Sequence, residues 1–300
     1  MDNNGESRWF AFVPAIFVLL WATGFIGAKY GLPHAGPLAF LTYRYIFVIV
    51  ILLVAALVLG APWPARRIDR LHAMVSGMLI HGIYLGGVFI AIDHGLSAGV
   101  SALIVGLQPL LTAVLSKPLL GERITFLHWL GLIVGLVGVI LVLLPRMQGG
   151  EANSTFSLIA VIAALFGITL GTIYQKAFAV KFDLRTGGVL QYLGALIPTV
   201  IVAYYFEGFE VDWTLEFVGA LAWLVLVLSI GAISLLMLII RHGEVSKVAS
   251  LFYLVPPVTV VMAFFLFDEK LTLLQGAGIT LTVLAVWVTS RIPRASSSSQ

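Results

Sequence analysis

Ten long apolar runs, separated by short polar connections, divide the 300 residues. They extend over Phe10–Ala28, Pro37–Leu59, Leu71–Ile92, Ala98–Leu119, Ile124–Leu144, Phe156–Tyr174, Gly187–Tyr205, Leu215–Ile240, Val248–Phe267 and Leu271–Thr289. About 20 apolar residues in a helix cover the hydrocarbon core of a bilayer. The runs are continuously apolar rather than alternating, which predicts helices and not the strands of a membrane barrel. The connections leave no room for a soluble domain, and the Ser-rich end Ala295–Gln300 reads as disordered. No small-residue cleavage site follows the first run, where Gly27-Ala28-Lys29 is charged, so that run reads as a retained span rather than a signal peptide.

Composition sharpens this picture. Hydrophobic residues make up 60% of the chain, charged residues 10%, and the mean hydropathy is +1.07. A soluble chain carries about 25% charged residues, so the main solvent here is lipid. The net charge is +3, but the basic residues stand singly between apolar runs and form no nucleic-acid-binding face. Their placement sets orientation instead. Thirteen Lys and Arg fall on the side where the first span begins, three (Lys29, Arg146, Lys270) on the other, and Arg44 within a span. Both termini are therefore expected in the cytoplasm. With no cysteine, disulfides, thiolate nucleophiles and Cys-ligated zinc are excluded.

A shift of 147 residues aligns the chain with itself. Pro109 falls on Pro256, Thr112 on Thr259, Glu122 on Glu269, Thr125 on Thr272 and Gly131 on Gly278. Gly24 likewise meets Gly171, Lys29 meets Lys176, and Tyr45 meets Tyr192. Each half, 1–147 and 148–300, holds five spans. Five is odd, so the second half enters the membrane from the opposite face. The expected fold class is thus an all-α integral membrane protein of ten transmembrane helices, in two inverted five-helix repeats forming one membrane domain. Such repeats suit secondary transporters, because near-equivalent halves can exchange inward- and outward-facing states around a central site.

The segment Leu107-Gln108-Pro109-Leu110-Leu111-Thr112, then Leu120-Gly121-Glu122-Arg123-Ile124-Thr125 and the Gly-rich span from Trp129, resembles the signature of the drug/metabolite transporter superfamily, and its EamA branch most closely. The second copy, Leu254-Val255-Pro256-Pro257 to Glu269-Lys270-Leu271-Thr272, fits too, as do Trp21 and Arg44-Tyr45. The resemblance covers essentially the whole chain. It implies a central cavity formed by spans 1, 3, 4, 6, 8 and 9, with spans 5 and 10 peripheral. It also implies export of amino acids or related metabolites, aromatic amino acids among them, across a bacterial inner membrane.

Several residues inside the spans are candidates for that work. Pro109 and the pair Pro256-Pro257 sit at matching positions and read either as hinges or as static kinks. His81 lies mid-span, three residues before Tyr84 on one helical face, and reads as a substrate contact, a protonation switch or a histidine bonded within the bundle. Arg44 could draw a substrate carboxylate, but snorkelling or bracing of carbonyls is the expectation. Gln108 adjoins Pro109 and is the better cavity candidate of two deep amides; Gln191 matches Arg44 in the repeat and reads as structural. Tyr174, Gln175 and Lys176 close span 6, with Lys176 expected as an anchor. Trp21, Tyr84 and Tyr253 offer aromatic surface to a substrate, though each is equally at home in packing. Ser234 is a weaker polar candidate. Gly24, Gly27, Gly82, Gly86, Gly131, Gly135, Gly167 and Gly171 read as smooth packing surfaces.

All 14 acidic residues lie in tails, loops or span ends. Proton- and sodium-coupled carriers use buried carboxylates, so the expectation is passive uniport, with His81 as the alternative proton carrier. The sequence has no Walker loop, no HExxH and no Gly-x-Ser-x-Gly, so neither ATP hydrolysis, nor metal, nor cofactor chemistry, nor enzyme activity is expected. The expected partners are a small molecule and the lipid bilayer. A lipid flippase, an intramembrane enzyme and a non-transporting scaffold stand as alternatives.

Overall fold

The computed structural model describes residues 12–96, 101, 104–121, 124–147, 155–179, 181–242, 245–267 and 272–291. Phe10, Ala98, Glu122, Arg123, Asp268, Glu269, Lys270, Leu271 and the tail Ala295–Gln300 lie outside them. The helices in chain order are α1 (Val13–Gly31), α2 (Pro37–Val58), α3 (Arg67–Asp93), α4 (Gln108–Leu120), α5 (Phe126–Met147), α6 (Thr155–Ala179), α7 (Leu184–Phe206), α8 (Leu215–Arg241), α9 (245–267) and α10 (Leu273–Arg291). Six of them, α1, α2, α3, α6, α7 and α8, are long and apolar enough to cross a membrane. Bulky apolar side chains cover the outside of the bundle, among them Phe126, Phe206, Leu215 and Leu273. Lipid, unlike water, can solvate such a surface.

The packing has a two-fold pattern. Helix α2 lies against α7, and α5 against α10. The contact of α1 with α8 has its counterpart in α6 with α3, and that of α1 with α9 in α6 with α4. Exchanging each span with the one five places on reproduces these pairings, as a duplicated chain requires. The larger core fills the space between α1, α2, α3, α6, α7 and α8. A smaller one, around Leu132, Val139, Val142, Tyr253 and Val286, holds α4, α5, α9 and α10 together.

Irregularities repeat as well. Helix α3 widens into a π-helix at Met78–Ile83, and α8 does so at Leu224–Ala232, which contains the positions 147 residues on. A π segment breaks the normal ladder of backbone hydrogen bonds and often marks a functional position. Here two tyrosines meet its carbonyls. Tyr45 Oη donates to the carbonyl of His81 at 2.7 Å, and its repeat mate Tyr192 donates to that of Ser229 at 3.4 Å. Span 4, expected unbroken over Ala98–Leu119, turns at 106–107 before α4 restarts at Gln108. The matching place in α9 is the 3-10 turn Leu251–Leu254. Pro109 and Pro256 are thus second in their restarted helices, where no backbone N–H is needed. Both prolines stand at the start of the α-helical segment that follows the irregular turn.

The two faces of the bundle are tied differently. On the face where α1 ends, Ala35 bridges to Val211, and the Asp212 N–H donates to the His34 carbonyl at 2.8 Å. The His34 imidazole stands 3.8 Å from the Asp212 carboxylate and 3.7 Å from that of Glu216. On the face where α1 begins, His72 Nδ1 lies 2.7 Å from Tyr174 Oη, and the His72 ring stacks on Phe178 at 4.7 Å. The repeat mates of these three residues are Gly219, Gly27 and Gly31, so one face carries an aromatic clasp where the other has only glycines.

Candidate functional site

A cavity lies in the middle of the larger core. Trp21, Gly24 and Ala28 of α1, Arg44 of α2, Ile80, His81, Tyr84, Leu85, Val88, Phe89 and Ile92 of α3, and Leu228 and Ile233 of α8 line it. Its free space is about 40 Å³. The walls are aromatic by design of the helix register. Trp21 and Tyr84 face each other with ring planes 9° apart and centroids at 6.4 Å. Phe17 and Phe252 brace Trp21 from behind, at 5.2 and 5.3 Å. Glycine lets α1 and α8 approach: a Cβ on Gly27 would stand 2.8 Å from Leu224 Cδ2.

Arg44 is the charged group of this cavity. It is 2% exposed and does not snorkel. The reason is geometric, since α2 packs on α7 and faces α8, so the side chain at position 44 points into the bundle. Its Nε donates to Ser229 Oγ at 2.8 Å. Among the described residues no carboxylate pairs with it. A buried cation without an anion is costly and persists where function needs it. This placement differs from the expectation that Arg44 snorkels or braces carbonyls; nothing in the local sequence reveals which face of α2 meets α8.

His81 sits beside Arg44 in the cavity wall. Its ring stacks on Tyr192 at 4.2 Å and 11°, and neither ring nitrogen lies in hydrogen-bond geometry with a partner among the described residues. The other predicted residues fall elsewhere. Gln108 is fully buried, one turn before Thr112; among the described residues neither its amide atoms nor the Thr112 hydroxyl has a hydrogen-bond partner, and neither residue lines this cavity. Tyr253 packs in the smaller core, where Gly135 leaves room for its ring. Tyr174 belongs to the clasp with His72. Gln175 and Ser234 line a second cavity towards the face where α1 begins, together with Gln191, Tyr192, Ser229, Asp183 and Arg241. There Gln175 Oε1 accepts from Ser76 Oγ at 2.8 Å and from Gln191 Nε2 at 2.7 Å. Lys176 Nζ donates to the carbonyl of Ile240 at 2.8 Å. Among the described residues the cavity draws on α2, which the resemblance left out, and not on α4, α6 or α9. No three His, Asp or Glu of the described residues gather as metal ligands would.

Two copies of one family profile, that of the EamA-like transporter family, match residues 8–144 and 155–291. The chain belongs to the EamA-like transporter family. It is therefore a multi-pass membrane transporter and not an enzyme. Among its relatives, an uncharacterized transporter of Bacillus subtilis, YvbV, is 28% identical over 92% of this chain and 90% of the relative. The inner membrane transporter YedA of Escherichia coli K12, also uncharacterized, is 24% identical over 91% and 88%. A probable amino-acid metabolite efflux pump of the same strain is 25% identical over 91% and 92%. A crystal structure 18% identical in sequence superposes with a TM-score of 0.76, over 94% of this chain and 96% of the other, so the two share one fold.

Proposed function

We propose that this EamA-like transporter exports amino acids, aromatic ones foremost, from the cytoplasm across the inner membrane by alternating access. The observation that carries the reading is Arg44, a buried cation with no anion among the described residues, set in a cavity lined by Trp21, Tyr84 and Phe89. A substrate carboxylate would supply the missing charge, and a charge-assisted hydrogen bond of this kind contributes about 1.5–3 kcal/mol. Trp21, Tyr84 and Phe89 would hold an apolar or aromatic side chain. Two relatives described as probable amino-acid metabolite efflux pumps support the substrate class.

A free space of about 40 Å³ is far below the roughly 300–1,000 Å³ of ligand pockets. Binding therefore requires α1, α3 and α8 to part, with residues 1–147 and 148–300 as the two halves that move. The contacts of Gly24 with Leu228 and Gly27 with Leu224 present smooth surfaces for that motion. No acidic side chain lines the cavity among the described residues, so the transport is read as passive uniport. The face where α1 begins is read as cytoplasmic, from the excess of Lys and Arg there.

Reconstitution tests this. Liposomes holding the protein are expected to show saturable flux of radiolabelled L-phenylalanine, L-tyrosine or L-tryptophan that a proton ionophore leaves unchanged. Arg44→Gln abolishes it and Arg44→Lys retains part. Sealed vesicles with folded protein and no amino-acid flux would defeat the proposal.

The lipid-moving alternative has one observation in its favour. A crevice of about 260 Å³ between α2, α3 and α7, lined by Leu38, Met78, Gly86, Pro198 and Val202 among others, is apolar enough for an acyl chain. It offers no charged side chain to a headgroup.

A further inference from the structure

The second cavity meets the first at a layer that holds Ser229 and Ile233. Ser229 lines the second cavity while its hydroxyl accepts from Arg44, which lines the first; Ile233 lines both. The two cavities are also repeat-related in part. Ala28 and Arg44 of the first have Gln175 and Gln191 of the second as their mates 147 residues on. Beside the aromatic rings of Phe182 and Tyr192 the second has amide and hydroxyl groups, an acid, Asp183, and its own cation, Arg241. One Nη of Arg241 donates to the carbonyl of Phe182, but its Nε is buried with no hydrogen-bond partner among the described residues. Among the described residues the acid that shares this cavity, Asp183, makes its hydrogen bonds with Arg185. Its two oxygens accept from the Arg185 guanidinium at 3.0 and 2.9 Å, and one of them accepts from the Arg185 backbone N–H at 2.8 Å. Ser234 adds a hydroxyl that makes no hydrogen bond among the described residues.

We infer that the second cavity is a separate carboxylate subsite on the path, in which Arg241 and Ser234 hold the substrate's carboxylate before Arg44 takes it. The inference rests on the carboxylate reading of Arg44. Two cations, one on each side of the Ser229 layer, make a relay: the anion leaves one positive site only as it reaches the next. The Arg44–Ser229 hydrogen bond closes the layer when no anion is present. An incoming carboxylate competes for the guanidinium and frees the serine. Such a relay is chemically selective, since an amine or alcohol of the same shape gains nothing at either arginine.

Sided kinetics test it. Half-saturation for L-phenylalanine is measured from each face of oriented vesicles. Arg241→Gln is expected to raise the constant on the face where α1 begins by about tenfold more than on the opposite face, the loss of one charge-assisted contact. Arg241→Lys restores most of it. Equal changes on both faces, or none, overturn the relay. If the wild type moves no amino acid at all, the functional reading fails and the subsite is judged by binding alone. Sodium phenylacetate should then raise the melting temperature of purified Arg44→Gln, while 2-phenylethanol does not, and the additional change Arg241→Gln should remove the effect. No stabilisation of Arg44→Gln by phenylacetate, or an equal one in the double variant, means there is no second site.

Discussion

Glu207, at the end of α7, caps α2 by binding the backbone of Leu38. Its carboxylate accepts the backbone N–H of Leu38 at 2.8 Å and that of Ala39 at 3.1 Å, satisfying two of the free donors at the start of α2. The N-cap of α2 is Gly36, which has no side chain to offer. Its repeat mate, Asp183, caps α7 by accepting from the Arg185 N–H. One half of the molecule thus caps its own helix while the other borrows a carboxylate from its partner half.

Glu207→Ala leaves those donors bare and is expected to cost about 1 kcal/mol, read as a lower melting temperature in detergent. Burial holds the Glu207 carboxyl above its ordinary range, against the two backbone N–H groups that lower it. A raised carboxyl binds its proton more tightly folded than unfolded. Its contribution to stability is therefore full below the unfolded value and is lost as pH rises through the folded one. Glu207→Gln should flatten stability against pH in that window; an unchanged profile would contradict the assignment.

Asp183 should behave in the opposite sense. The Arg185 guanidinium and the capping N–H hold its carboxyl below the ordinary range. That stability is present at neutral pH and declines as pH falls through the lowered value. Asp183→Ala is expected to lose about 1 kcal/mol at neutral pH, with the difference from wild type shrinking in acid. A difference that grows in acid would refute this.

Arg44 is expected to trade stability for function. Replacing an unpaired buried charge by a group of similar length is commonly neutral or stabilising. Arg44→Met should melt at or above the wild-type temperature and lose uptake. A fall equivalent to about 3 kcal/mol would instead show a structural brace.

Two glycines of α10 should respond differently to alanine. A Cβ on Gly278 would stand 2.7 Å from the Gly138 carbonyl of α5, whereas one on Gly276 meets nothing within 4 Å. Gly278→Ala should force α5 and α10 apart at a cost of about 1–3 kcal/mol. Gly276→Ala should be neutral or stabilise by up to about 1 kcal/mol, through helix propensity. Thermal melts of the two variants check both.

The sequence by itself determined the helices, the duplication and the solvent. Apolar runs of membrane length have one stable form in lipid, and a constant offset of 147 residues is visible without any fold. It also brought forward Trp21, His81 and Tyr84, because polar and aromatic groups deep in a span stand out against aliphatic neighbours. What it left open was rotation and continuity. Whether Arg44 snorkels or faces the cavity depends on which side of α2 meets α8, and an almost uniformly apolar helix carries little pattern to fix that. The π segments that receive Tyr45 and Tyr192 and the meeting of Glu207 with Leu38 involve contacts between residues distant in the chain. Only packing decides them, because each is the local backbone yielding to a neighbour that the linear sequence does not name.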